Sequence, residues 1–185
     1  MLQNLLDLVK GQANEVIVNN PAIPNERNEE AISMTGNAIT GGLQDMLSSG
    51  GLKDVLSLFG QRETANSGNP VVQNVSGNLV SQLMERFGLD AQSAGGIAGN
   101  LVPNVLQQLV GRTNDPSDSS FDIQSVFNQL SGGRSQGMDI QGMLSRIKLD
   151  VDGDGDTDMQ DMMALLSGKG QGGNLLDNVK GLFGR

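Results

Sequence analysis

The chain has 185 residues, enough for one ordinary domain or two small ones, with 26 Gly, five Phe and neither Trp nor Tyr. Its formal charge of −9 and pI near 4.3 exclude nucleic-acid binding, which needs a basic face. The lack of Cys removes disulfides, thiolate metal sites and cysteine nucleophiles, and the lack of His removes the commonest general base and zinc ligand.

From the first residues onward one pattern recurs, apolar side chains at i, i+3, i+4 and i+7. It marks Leu2, Leu5, Leu6 and Val9, and a second stripe at Leu52, Val55, Leu56 and Phe59. Each is one apolar face of a helix of two or three turns. Glu15–Asn19 is the one strand-like run, and it also continues the first helix's period through Ala13, Val16 and Ile17. Pro21 and Pro24 close this segment, and Asn25 is expected to cap a second helix running to about Leu47. Ser48-Ser49-Gly50-Gly51 breaks that helix, and Gln61 to Asn69 reads as a polar linker.

Helices are expected next at about 70–87, 91–101 and 103–112. Gly88 suits a C′ position, Asp90 an N-cap, and Pro103 the first turn of the third of these. The small residues Ser93 to Gly99 are expected to admit a closely packed neighbour. Their glycines do not form a phosphate loop, because no strand precedes them and no Lys-Ser/Thr follows. Thr113 to Ser120 reads as a second loop. Few aromatics and many glycines point to small, closely packed helices. The fold class is all-α, an array of short helices, divided into a helical domain over 1–112 and short helical repeats over 113–185.

The repeat has the form x-D-[IM]-Q. It occurs at Phe121-Asp122-Ile123-Gln124, Met138-Asp139-Ile140-Gln141 and Thr157-Asp158-Met159-Gln160, with spacings of 17 and 19 residues. An apolar stripe follows each copy: Ile123, Val126, Phe127, Leu130; Ile140, Met143, Leu144, Ile147; and Met159, Met162, Met163, Leu166. In each copy the Asp is placed to cap the helix that follows.

Between the second and third stripes lies the most specific stretch of the chain, D-V-D-G-D-G-D-T-D-M-Q-D over Asp150–Asp161. Carboxylates stand at loop positions 1, 3, 5, 7, 9 and 12, and Gly155 stands at position 6, which is the spacing of an EF-hand Ca²⁺ loop. Asp150, Asp152 and Asp154 are expected to offer side-chain oxygens, Asp156 its backbone carbonyl, Asp158 a direct or water-mediated contact, and Asp161 the closing carboxylate. Six of the 21 acidic residues lie here, so removing them from the formal −9 leaves −3 for the rest of the chain. The competing reading is a solvated acidic linker.

Asp at position 12 has a shorter reach than the usual Glu, and Thr157 at position 8 weakens pairing to a second loop. A solitary site in the weaker half of the EF-hand range, roughly 10⁻⁹ to 10⁻³ M, follows, with Mg²⁺ as the rival cation. Asn114–Ser125 stands in the corresponding register before α-stripe Ile123–Leu130. It carries Pro116 at position 3 and Ser125 at position 12, so it is expected to bind nothing.

Five of nine methionines, Met138, Met143, Met159, Met162 and Met163, flank the loop and can be buried core or an adaptable partner groove. A second echo links Leu5-Leu6-Asp7-Leu8-Val9-Lys10-Gly11 to Leu175-Leu176-Asp177-Asn178-Val179-Lys180-Gly181. These matching ends can pack on one core or dock between copies.

The segments Met-Glu-Arg-Phe-Gly-Leu-Asp (84–90), Ala-Gly-Gly-Ile-Ala-Gly-Asn-Leu-Val-Pro (94–103) and Gly-Gln-Ala-Asn-Glu-Val-Ile-Val-Asn-Asn-Pro-Ala-Ile-Pro-Asn-Glu (11–26) resemble bacterial proteins grouped as domain-of-unknown-function family 937. The resemblance covers about residues 1–133 and implies an all-helical fold with no settled activity. The acidic loop separately resembles dockerin-type calcium repeats, which also close with Asp but carry two loops where this chain has one.

The expected function is a non-enzymatic calcium-binding protein, structural or self-assembling, whose metal stabilises the C-terminal helices. The alternative is a calcium-responsive module that binds a protein partner through its Met-rich face. No cofactor other than the cation and no catalytic residue is expected. The partners left open are a second copy of the chain and another protein. Without a Sec-type signal or a run of about 18 apolar residues, the chain is expected to be cytoplasmic by default, with signal-less export left open.

Overall fold

The computed structural model describes residues 2–60, 64–115, 117–133, 135 and 137–149. Among these residues there are seven α-helices and no strand: α1 Leu2–Ala13, α2 Asn28–Ser48, α3 Leu52–Phe59, α4 Pro70–Phe87, α5 Ala91–Thr113, α6 Ile123–Leu130 and α7 Ile140–Leu149. The all-α class expected from the sequence is what the chain adopts. No helix among the described residues is long and apolar enough to cross a membrane.

Four of these helices close a ring. α1 packs on α2 and on α5, α2 packs on α4, and α4 packs on α5. Their apolar faces meet inside it, with Leu5, Val9, Ile39, Leu43, Leu79, Leu83, Leu101 and Leu106 fully buried or nearly so. α2, α4 and α5, of 21, 18 and 23 residues, are longer than the short helices expected, and helices in a protein gain most of their stability from such packing rather than from propensity. α3 lies on α2, α4 and α5, while α6 lies on α2, and α7 joins α3 to α6. The core is continuous across position 112. Phe59 of α3 meets Phe127 of α6 edge-on, ring centroids 5.4 Å apart and planes at 72°. The Asn114 amide donates to the Phe59 carbonyl at 2.8 Å.

Local signals explain most boundaries. Asn69 caps α4, its Oδ1 accepting from Val71 N at 2.9 Å, with Pro70 at N1, where a missing N–H costs nothing. Gly88 ends α4 in the left-handed region at φ 68°, which only glycine adopts without strain. Asp90 then caps α5, accepting from the N–H groups of Gln92 and Ser93, each at 2.9 Å. This three-residue connection folds α4 and α5 into a helical hairpin. Gly50, at φ 89°, turns the chain between α2 and α3.

Four expectations differ from the structure. Glu15–Asn19 is not extended: Asn14–Val18 forms a π turn closed by Asn19 N to Asn14 O at 3.0 Å, which keeps Ala13 and Ile17 both in the core. Asn25 does not cap α2. It opens a 3₁₀ turn, Asn25–Arg27, and Arg27 stands at the N-cap without a side-chain capping bond, with Glu29 and Glu30 supplying negative charge to the first turn.

Pro103 does not begin a helix. It lies inside α5, which runs unbroken from Ala91 to Thr113 because Leu101, Val102, Val105 and Leu106 on either side of it are all buried. Finally, Gly95, Gly96 and Gly99 have open space where a Cβ would stand, so close approach occurs elsewhere. It occurs at Gly36, against Leu6 of α1, and at Gly42, against Val75 of α4. In 93–99 it is Ala94, Ile97 and Ala98 that face the core.

Candidate metal centre and the repeat leading to it

The six expected metal ligands, Asp150, Asp152, Asp154, Asp156, Asp158 and Asp161, lie outside the described residues, as do Met159, Met162, Met163, the third repeat copy and the C-terminal echo. The structure describes the helix that leads to the loop. α7 ends at Leu149, the residue before Asp150. Asp139 caps its start, Oδ1 accepting from Gly142 N at 2.9 Å. Ile140 is fully buried and Leu144 nearly so, while Met143 packs partly buried against the same core. α7 is therefore seated on α3 and α6 through Ile140, Met143 and Leu144 of the stripe read from the sequence.

The preceding repeat copy is built the same way. Asp122 Oδ2 accepts from Ser125 N at 2.8 Å, the three-residue offset also seen at Asp139. Ile123, Val126, Phe127 and Leu130 of α6 are all buried. The glutamine of this copy has a role that sequence reasoning missed. Gln124 Oε1 accepts from Ile140 N at 3.2 Å, and its Nε2 donates to the Ser135 carbonyl at 3.5 Å. One side chain thus holds both the first N–H of α7 and the loop before it. The signal was the Gln shared by all copies, whose partner no spacing argument could name. In that loop Gly132, Gly133 and Gly137 all take positive φ, and Ser131 Oγ accepts from Ser135 N at 2.9 Å.

In the register-equivalent segment Asn114–Ser125, the candidate oxygens already have protein partners. Asp115 Oδ1 accepts from the Ser117 hydroxyl at 2.6 Å and from Ser117 N at 2.8 Å, and these bonds hold its carboxyl below the usual range. Asp118 Oδ1 accepts from Ser120 N at 2.9 Å, and its Oδ2 lies 3.7 Å from Arg112. The Asn114 amide donates to Val110 O and Phe59 O rather than turning into the loop. Among the described residues no group of three or more Asp, Glu, His or Cys is arranged to hold a metal.

Two further features were not visible as patterns. Glu30 is gripped by two arginines, Arg27 Nε at 2.9 Å and Arg86 Nε at 2.8 Å, which ties the start of α2 to the end of α4. Arg27 also donates to Arg86 O at 3.1 Å and lies 4.2 Å over the Phe87 ring. Away from the repeats, a groove of about 410 Å³ runs between the π turn and α5, lined mainly by side-chain amides. No family model, no curated protein and no solved structure matches the chain.

Proposed function

We propose that this is a non-enzymatic calcium-binding protein in which the Asp150–Asp161 loop clasps the segment after α7 onto the helical body. What supports this reading is the footing of α7. An EF-hand loop needs an entering helix held in place, and α7 is capped by Asp139, bonded at its first N–H by Gln124 and anchored by Ile140 and Leu144. Six aspartates in twelve residues repel one another unless a cation neutralises them, so binding favours the folded arrangement. Met143 packs against the core rather than standing free, which favours the structural clasp over a Met-lined partner groove. Met138, 43 % exposed, is the one described methionine of the repeats that suits the alternative. The proposed family likeness to domain-of-unknown-function family 937 is compatible with this role and adds no activity.

The test is calcium titration of the full chain followed by thermal unfolding, hydrophobic-dye binding and light scattering, with and without EDTA. Calcium at 100 times its dissociation constant should add about 2.7 kcal/mol of stability. Dye binding should stay unchanged, and the Asp150→Ala/Asp154→Ala variant should lose the response. New dye fluorescence on calcium addition would favour the partner-binding alternative. A wild-type response retained by the double variant would discard the site. A calcium-dependent change in particle size would add assembly to the clasp, and a monomer in both states would remove it.

A further inference from the structure

We infer that Ser131–Gly142 is a second loop in the metal-loop register, closed by hydrogen bonds in place of a cation, so that calcium governs only the chain beyond α7. The repeat fixes the register. Asp139 and Asp158 belong to successive copies, 19 residues apart, and the same offset carries Asp150 onto Ser131 and Asp161 onto Gly142. The helix ends agree. α6 stops at Leu130 and α7 at Leu149, each one residue before its loop, and α7 begins at Ile140, directly after the ninth position.

Loop positions 1, 3, 5, 7, 9 and 12 are then Ser131, Gly133, Ser135, Gly137, Asp139 and Gly142. One carboxylate stands where the acidic loop has six, and calcium affinity follows the charge of the ligands. What this loop keeps is the convergence. The Ser131 hydroxyl, at position 1, donates to Ser135 Oγ, at position 5, at 3.0 Å. Oxygens bound about 2.4 Å from one cation stand roughly 3 Å apart, so the two side chains meet as two ligands would.

Here protein groups alone make the contact. Ser131 Oγ also accepts from Ser135 N at 2.9 Å, and the Ser135 carbonyl accepts from Met138 N at 3.0 Å and Gln124 Nε2 at 3.5 Å. Every polar group of Ser135, a residue 4 % exposed, is thus bonded within the protein. At position 9, Asp139 accepts from Gly142 N, at position 12. Ser135 and Gln124 together fix the start of α7, and none of their bonds uses a cation. Loss of calcium therefore frees the chain after Leu149 and leaves α6 and α7 seated. That last step rests on the proposed site at Asp150–Asp161; the hydrogen-bonded closure does not.

The test is amide exchange and calcium titration by NMR on the full ¹⁵N-labelled chain. Exchange at Ser135 and Ile140 should be the same with calcium and with EDTA. Ser131→Ala should speed exchange at Ser135 about fivefold in both conditions, the equivalent of one ordinary hydrogen bond, and Ser131→Thr should not. Ser131→Asp/Ser135→Asp, placed in the Asp150→Ala/Asp154→Ala background, puts carboxylates at positions 1, 5 and 9. With calcium raised past about 10⁻³ M, its Gly133, Gly137 and Asp139 amides should shift saturably, and those of the background chain should not. Protection at Ser135 or Ile140 that falls when EDTA is added to the wild type would overturn the inference. So would unchanged exchange in Ser131→Ala, or a grafted chain that gives no saturable shift, folded or not. A wild-type chain without calcium shifts at Gly153 and Gly155 would remove the Asp150–Asp161 site and the statement about calcium, while the Ser131→Ala result still judges the closure.

Discussion

Gln124, on the first turn of α6, accepts a hydrogen bond from the backbone N–H of Ile140, the first residue of α7, at 3.2 Å. Two successive repeat units are bolted together by a side chain that belongs to the repeat itself. The bond satisfies one of the N–H groups a helix start leaves without a partner.

Gln124→Ala should therefore cost about 1 kcal/mol, the usual net value of one such bond, and should speed amide exchange at Ile140 before other core amides. Gln124→Glu keeps an acceptor and should retain most of that protection. Unchanged exchange at Ile140 in the alanine variant would mean the bond does not hold α7.

Gly42 and Gly36 differ in what a new methyl would meet. On Gly42 a Cβ would stand 2.7 Å from Val75 Cγ2 and 3.1 Å from Val75 Cα, so α2 and α4 must separate. On Gly36 it would meet only the end of the Leu6 side chain, which can rotate away. Gly42→Ala should destabilise by about 1–3 kcal/mol through overpacking, while Gly36→Ala should be close to neutral because helix propensity returns about 1 kcal/mol. Urea unfolding of both variants checks the order; a Gly36 variant weaker than the Gly42 variant would reverse it.

Pro103 removes the N–H that Gly99 O would otherwise receive inside α5. A proline in a helix interior costs up to about 3 kcal/mol, partly returned by its stiffening of the unfolded chain. Pro103→Ala should raise stability by about 1–2 kcal/mol, or roughly 2–8 °C in Tm for a chain of this size. A fall in Tm would show that the neighbouring core is packed around the proline.

The Glu30 carboxyl is held down to about 2, from an ordinary 4.5, first by the Arg27 hydrogen bond and then by that of Arg86. Its contribution to stability is therefore complete above about pH 4.5 and disappears as pH falls from 4.5 towards 2. The Tm difference between wild type and Glu30→Gln should be constant from neutral pH to about 5 and shrink below it. Added salt should reduce it too, since the cluster is partly solvent-exposed. A difference that grows on acidification would contradict the assignment.

Phe127→Ala removes one ring of the α3–α6 contact and should cost about 3–5 kcal/mol. Because the core is continuous from Leu5 to Leu144, thermal unfolding should remain a single transition at a lower Tm. Separate transitions for the two halves would show that they fold independently.

Periodicity alone made the all-α class, most helix positions and the stripes of α3, α6 and α7 legible, because a one-faced apolar pattern has one economical burial. The caps at Asp90, Asp122 and Asp139 and the turn at Gly88 were equally local, since each acts on residues within one turn. The acidic loop Asp150–Asp161 is likewise read from spacing, and that spacing is what the calcium proposal rests on.

Tertiary packing decided the remainder. It carried α5 through Pro103, because the buried residues beside it outweigh one lost backbone bond. It brought Arg27 and Arg86 to one carboxylate across 59 residues of sequence, and brought Asn14 and Asn100 to the border of one groove. It chose Gly36 and Gly42, rather than Gly95, Gly96 and Gly99, as the points of close helix approach. Nothing within one turn of those residues specifies such meetings; they follow from which helix faces which once the ring of α1, α2, α4 and α5 has closed.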